Sequence, residues 1–168
     1  MNAILFLDLE NTIINDWTFR RFMVHNLMTI RTAIVVYNEK NPQCPIVSLG
    51  LFSYAIHDDV DFKVFQEELQ GRIESALNLK FDLRYCMTVA QIKKIFTRLA
   101  RVVFREPSDT MDFLGDKAFT FFKVVPSILN DAVTRVFLVD DIVGHLDLHR
   151  LKTGVVMSTR LIESDLTL

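Results

Sequence analysis

The stretch "AILFLDLENTIINDW", residues 3–17, sets five apolar residues, Ala3 to Leu7, directly against two acids, Asp8 and Glu10. A short, nearly continuous apolar run is the pattern of a strand covered on both faces, as in a parallel sheet. Acids at the end of such a strand are either turn and cap residues or the rim of a site. The theme recurs in "RVFLVDD", residues 135–141, where a second apolar run ends in Asp140 and Asp141. Its appearance on two separate buried strands favours the site.

Between these strands the chain alternates helix and strand signals. Residues 16–37 carry Trp17, Phe22, Leu27, Ile30 and Ile34 at mixed helical spacing, with Asn15 or Asp16 placed to cap, which predicts a long helix apolar on more than one side. "NPQCP" at 41–45 breaks it, and "IVSLGLFSYAI" reads as a second strand ending near Ser53 or Ile56. Asp58 to Asp61 form a turn and cap. Phe62, Phe65, Leu69, Ile73 and Ala76 then recur at three- and four-residue steps, the stripe of an amphipathic helix. A strand is expected over 81–87, and then a helix capped by Thr88 with Val89, Ile92, Phe96 and Leu99 on one face. A further helix begins between Asp109 and Lys117 and runs through "AFTFFKVV" to Pro126, its aromatic residues expected in the core. A last strand fits "GVVMS" at 154–158.

Strands alternating with helices imply an α/β fold, a doubly wound, Rossmann-like and mostly parallel sheet with helices on both faces. The 168 residues fit one domain, 1–168, without a large cap domain. Half the residues are hydrophobic, fourteen are Phe and 24% are charged, which excludes a disordered chain and predicts a large aromatic core. The formal charge of −2 exerts no global pull toward nucleic acid or anionic lipid. Cys44 and Cys86 are solitary, so neither a disulfide framework nor a zinc knuckle is expected. The opening apolar run contains an acid and no basic region precedes it, unlike a signal peptide, and no segment has the length of a membrane span. A cytoplasmic protein without membrane association is the expectation.

In doubly wound sheets ligands bind beyond the carboxyl ends of the strands, where strand order reverses. If the first strand and the "RVFLVDD" strand are neighbours, Asp8, Asp140 and Asp141 converge there. Two like charges at 4 Å repel by about 4 kcal/mol at an effective dielectric of 20, so a positive group must sit among them. Mg²⁺, a hard cation that takes oxygen ligands and brings phosphate with it, meets that requirement.

"FLDLENTI" resembles the first motif of the haloacid dehalogenase-like superfamily, a hydrophobic strand followed by Asp-x-Asp-x-Thr, and "VFLVDD" resembles its fourth, a strand followed by paired acids. The resemblance is specific at both ends of the chain and looser between them. It implies a Mg²⁺-dependent phosphohydrolase, a phosphomonoesterase, in which Asp8 is the nucleophile that forms an aspartyl-phosphate. It implies Thr12 as a hydrogen-bonder fixing the loop and Ser53, or Ser48, as the hydroxyl that binds the phosphoryl group. Lys117, or Lys123, would offset negative charge on Asp8 and the phosphoryl group. Asp8, Glu10, Asp140 and Asp141 would surround the metal.

The departure from the family pattern is Glu10, where the family has Asp as general acid and base. The extra methylene displaces the carboxyl, and ångström-scale misplacement can cost about 10²-fold in rate. Three consequences stand open: a site rebuilt around the longer side chain, slow turnover of the phosphoryl-enzyme, or a phosphate- or partner-binding protein without turnover.

The interval 13–44 holds one long helix, and 54–116 has room for a small helical cap at most. A nearly capless site suits a large phosphorylated substrate, a macromolecule or nucleic-acid end, or a homo-oligomer in which a second subunit is the lid. Lys94, Arg98, Arg101 and Arg105 recur at helical spacing and would steer a polyanion if they face the crevice. "HLDLH" at 145–149 spaces two histidines four apart, but lacks a third ligand nearby. No GxxxxGK or GxGxxG fingerprint is present.

Overall fold

Strand β1 (Asn2–Leu7) lies at the middle of an all-parallel sheet, flanked by β2 (Ile46–Phe52) and β4 (Val133–Asp140). The computed structural model describes residues 1–103, 117–141 and 154–158. With β3 (Phe81–Met87) outside β2 and β5 (Gly154–Ser158) outside β4, the order is β3-β2-β1-β4-β5. Strand order therefore reverses across β1, which makes the crevice beyond β1 and β4 the topological switch point of a Rossmann-like α/β fold.

Alternation along β1 assigns its side chains to two cores. Ala3, Leu5 and Leu7, with Leu49, Leu51, Phe137 and Val139, meet Leu27, Ile30, Ile34 and Tyr37 of α1 (Val24–Lys40). The same core takes Phe65 of α2 (Asp59–Phe65), Leu69 of the π-helical turn Gln66–Gln70, and Ile73 and Leu77 of α3 (Gly71–Leu77). Ile4 and Phe6, with Phe52, Val136 and Leu138, meet Ile92 and Phe96 of α4 (Val89–Val103) and Phe121 and Val124 of α5 (Lys117–Val124). Both faces of the sheet are covered, which is why β1 reads as a continuous apolar run.

Local chemistry sets the helix starts. Asp58 accepts the N–H groups of Val60 and Asp61 and caps α2. Thr88 and Gln91 form a reciprocal box: the Gln91 N–H donates to Thr88 Oγ1 at 3.2 Å, and the Thr88 N–H to Gln91 Oε1 at 3.0 Å. After α5, Pro126 falls in a single 3-10 turn, Val125–Ser127.

The helix expected over 16–37 instead begins at Val24. Asn15 and Asp16 do not cap it; Asp16 Oδ1 accepts the Phe19 N–H at 2.8 Å and Asn15 Oδ1 the Arg21 N–H at 2.9 Å. Arg20 takes a left-handed φ of 52°. Asx side chains that offer the backbone such partners compete with helix formation, and residues 14–22 turn back on themselves, with Ile14 bridged to Phe22. The second strand stops at Phe52, just before Ser53. Elements described between Ser53 and Lys117 belong to the sheet or its two helical layers, so none of them forms a separate cap. Arg105, the "HLDLH" segment and residues 109–116 of the helix expected from between Asp109 and Lys117 lie outside the described residues. No helix among the described residues is long and apolar enough to cross a membrane.

Gly50 shows how closely β1 and β2 are matched. It pairs with Phe6, and a Cβ there would lie 2.5 Å from that ring, which is itself held edge-on by Phe121 at 5.3 Å and Tyr85 at 6.1 Å. Gly50→Ala is expected to cost about 1–3 kcal/mol by overpacking, read as a lower urea midpoint at unchanged m-value. An unaltered midpoint would contradict this packing.

Candidate active site

Asp8 directly follows β1, and its N–H donates to Val139 O at 3.0 Å, which ties it to the end of β4. Asp140 is the last residue of β4 and Asp141 the next. The parallel β1–β4 register, Leu7 opposite Val139, thus brings acids 132 and 133 positions apart to the carboxyl ends of neighbouring strands. One carboxylate oxygen from each of Asp8, Asp140 and Asp141 lies within 4.8 Å of the others. Asp8 and Asp140 are buried and Asp141 is half-buried.

Lys117 opens α5 with its ammonium driven into this group. Nζ donates to Asp8 Oδ1 at 2.7 Å and is ion-paired with Asp140 Oδ2, and the side chain is only 3% exposed. It also stands 5.1 Å from the centre of the Tyr54 ring. Thr12 completes the setting of Asp8, its hydroxyl donating to Oδ2 at 3.1 Å.

The electrostatics follow from burial. Desolvation pushes the Asp8 carboxyl above the usual range; Lys117 opposes that rise and the charge of Asp140 adds to it. Burial works against the charge on Lys117 most strongly as a single influence, but Asp8 and Asp140 together outweigh it and hold its pKa high. Asp141 is pushed up to about 6, first by burial and then by its hydrogen bond to Asp140 and the charges of Asp8 and Asp140. One ammonium faces three carboxylates, so ionisation of all three leaves a negative excess. Hard oxygen donors at this spacing, on rigid strand ends, could hold a divalent cation such as Mg²⁺.

The remaining sequence candidates are distributed as follows. Ser53 is fully buried just past β2, two positions beyond the Leu51 partner of Leu7, with its Oγ accepting the Ala55 N–H at 3.3 Å. Ser48 lies back within the strand opposite Ile4. Lys123 is exposed near the far end of α5. Glu10 is not among the three clustered acids; its Oε2 accepts the backbone N–H of Trp17 at 3.1 Å. Lys94 and Arg98 line a separate groove of about 400 Å³ with Leu83, Arg84, Ile95 and Ile128. No clustered acid lines that groove.

Two contributors were not singled out from the sequence. Tyr54 follows Ser53 and gives the site lysine an aromatic wall. Leu9 O gathers the N–H groups of Thr12, Ile13 and Ile14 at 2.9–3.1 Å, a tight turn made with Asn11 at φ 59° that aims Thr12 at Asp8. An Asn directly after the acids is the available signal, since Asn tolerates the left-handed region.

Comparison with protein-family models, with curated proteins and with solved structures returns no match.

Two outcomes are expected of this site. Lys117→Met leaves two buried carboxylates without their shared cation and should cost about 3–5 kcal/mol in chelator-treated protein, a loss that added Mg²⁺ reduces. Asp141 titrates higher in the folded than in the unfolded chain. The folded state therefore keeps a proton that the unfolded state releases, and the resulting stability is present below about pH 4 and lost as pH rises through about 6. With chelator present, Asp141→Asn should accordingly raise the melting temperature at pH 7.5 and leave it unchanged near pH 4. A variant that melts lower at pH 7.5 would contradict the charge account.

Proposed function

We propose that the chain is a Mg²⁺-dependent phosphohydrolase of the haloacid dehalogenase-like type, acting on phosphomonoesters through an aspartyl-phosphate on Asp8. The observation that carries the reading is the Lys117 ammonium buried between Asp8 and Asp140, with Asp141 alongside. It joins an acid after the first strand, paired acids after the fourth, and a lysine, all in a crevice where α/β sheets bind ligands.

Asp8, Asp140 and Asp141 would hold the cation, which when bound offsets the charge between an anionic nucleophile and an anionic substrate. An Asp8 carboxylate oxygen attacks phosphorus as the ester P–O bond breaks, and the leaving oxygen takes up a proton to become the free alcohol. Water then attacks the same phosphorus, the bond to Asp8 breaks, and phosphate departs with the carboxylate restored. Lys117 stabilises charge on Asp8 and on the phosphoryl oxygens, while Thr12 fixes the carboxylate that attacks. Ser53 is the candidate hydroxyl for the phosphoryl group.

Among the described residues between Ser53 and Lys117 no element forms a separate cap, which supports a large phosphorylated substrate. A nucleic-acid end is one such substrate, reached through Lys94, Arg98, Arg101 and Arg105, although the groove of Lys94 and Arg98 stands apart from the acids. A homo-oligomer with a neighbour as lid is the other arrangement. Free Cys44 and Cys86 suit a reducing cytoplasm. A second reading, a phosphate- or partner-binding protein with weakened turnover, is favoured by the engagement of Glu10 with Trp17.

The test is release of phosphate from an aryl phosphate. Mg²⁺-dependent release that falls to the uncatalysed background in Asp8→Asn is expected. Magnesium-dependent binding of phosphate without release from any member of a broad phosphomonoester panel would establish the second reading instead.

A further inference from the structure

Glu10 is two residues from Asp8 yet outside the cluster of three acids, and what its Oε2 holds is a loop. Residues 14–22 form a small hairpin: Ile14 bridges Phe22, the Asn15 N–H donates to Arg21 O at 2.9 Å, and the Arg20 N–H donates to Asp16 O at 2.9 Å. Its tip carries Trp17, the one tryptophan of the chain, whose backbone N–H donates to Glu10 Oε2. The tip is gripped from a second side. Arg20 stacks 5.2 Å from the Trp17 ring centre, donates to Trp17 O at 2.8 Å, and is ion-paired with Glu68 of the π-helical turn at 2.9 Å. The same loop begins with the turn that delivers the Thr12 hydroxyl to Asp8.

We propose that Glu10 is a positioning residue that pins this hairpin, which continues from the Thr12 turn, and that it does not supply the proton to the leaving group. The inference rests on the phosphohydrolase reading and refines its substrate class. With Glu10 Oε2 holding the Trp17 N–H, the ester P–O bond breaks without an acid at the leaving oxygen, which takes its proton from water afterwards. Such an enzyme favours leaving groups that are stable as anions: aryl phosphates over alkyl phosphates. The longer Glu suits this role, because its extra methylene provides the reach toward a hairpin seven residues on.

Glu10→Gln separates the two roles, since an amide oxygen still accepts the Trp17 N–H but the side chain cannot shuttle a proton. Tryptic cleavage after Arg20 or Arg21 and the emission of Trp17 read the loop without any need for turnover. Glu10→Gln should match the wild type in both, and Glu10→Ala should be cut about tenfold faster with altered emission, as expected for loss of a hydrogen bond to a charged acceptor. Equal cleavage of Glu10→Ala and wild type would overturn the pinning.

Turnover of aryl phosphates of graded leaving-group pKa, with an alkyl phosphate as the limit, reads the chemistry. Wild type and Glu10→Gln should fall on one steep dependence, within about threefold of each other. A loss in Glu10→Gln of about 10²-fold on the alkyl phosphate but little on the best aryl leaving group would overturn the proposal and make Glu10 the proton donor. Absence of turnover throughout would remove the phosphohydrolase reading and the leaving-group preference with it. The cleavage and emission measurements would still decide the pinning.

Discussion

A protonated lysine held out of water between two aspartates is the interaction on which this molecule turns. Lys117 reaches Asp8 from α5 and is paired with Asp140 as well, so it joins the end of the central strand to the end of its neighbour across a helix. Without a cation there, the β1–β4 pairing would force like charges together in a buried crevice, at several kcal/mol. Fold and site are thus not separable: the pairing that builds the sheet creates the charge problem, and α5 is placed to relieve it.

The rest of the architecture makes that crevice rigid. Both faces of β1 are fully packed, on one side against α1, α2 and α3 and on the other against α4 and α5, so Asp8 leaves a strand that cannot easily shift. Capping by Asp58 and by the Thr88–Gln91 box starts α2 and α4 at the same sheet edge from which the acids emerge. A site formed on strand ends rather than long loops holds its groups to tighter tolerance. The part with looser support is the 14–22 hairpin, whose tip is gripped through Glu10 and Arg20.

Legibility in the sequence followed the range of the forces involved. Asp8, Asp140 and Asp141 stood out because burial writes itself into a continuous apolar run, and charge at the end of such a run is conspicuous. The boundaries of β3 and β5 and the Thr88 cap were readable for the same local reason. Lys117 could be nominated only through resemblance, since nothing within its own helix distinguishes it from Lys123; its partners are 109 and 23 positions away. Residues 16–23 are not legible as a hairpin because Trp17 and Phe22 look like an extension of the apolar helical steps at Leu27, Ile30 and Ile34, whereas Asn15 and Asp16 spend their side chains on turn hydrogen bonds. The resemblance puts Glu10 with the other acids, whereas the three that cluster leave it out, and the Trp17 N–H that its Oε2 accepts is in reach only once those turns form.

The most direct measurement of the central claim is a crystal structure of the protein grown with Mg²⁺ and beryllofluoride, a mimic of a phosphoryl group on a carboxylate. Beryllium is expected bonded to a carboxylate oxygen of Asp8, with one metal ion ligated by Asp8 together with Asp140 or Asp141 and Lys117 displaced toward the fluorides. Asp8 free of both beryllium and metal, with Lys117 still spanning Asp8 and Asp140, would contradict that claim.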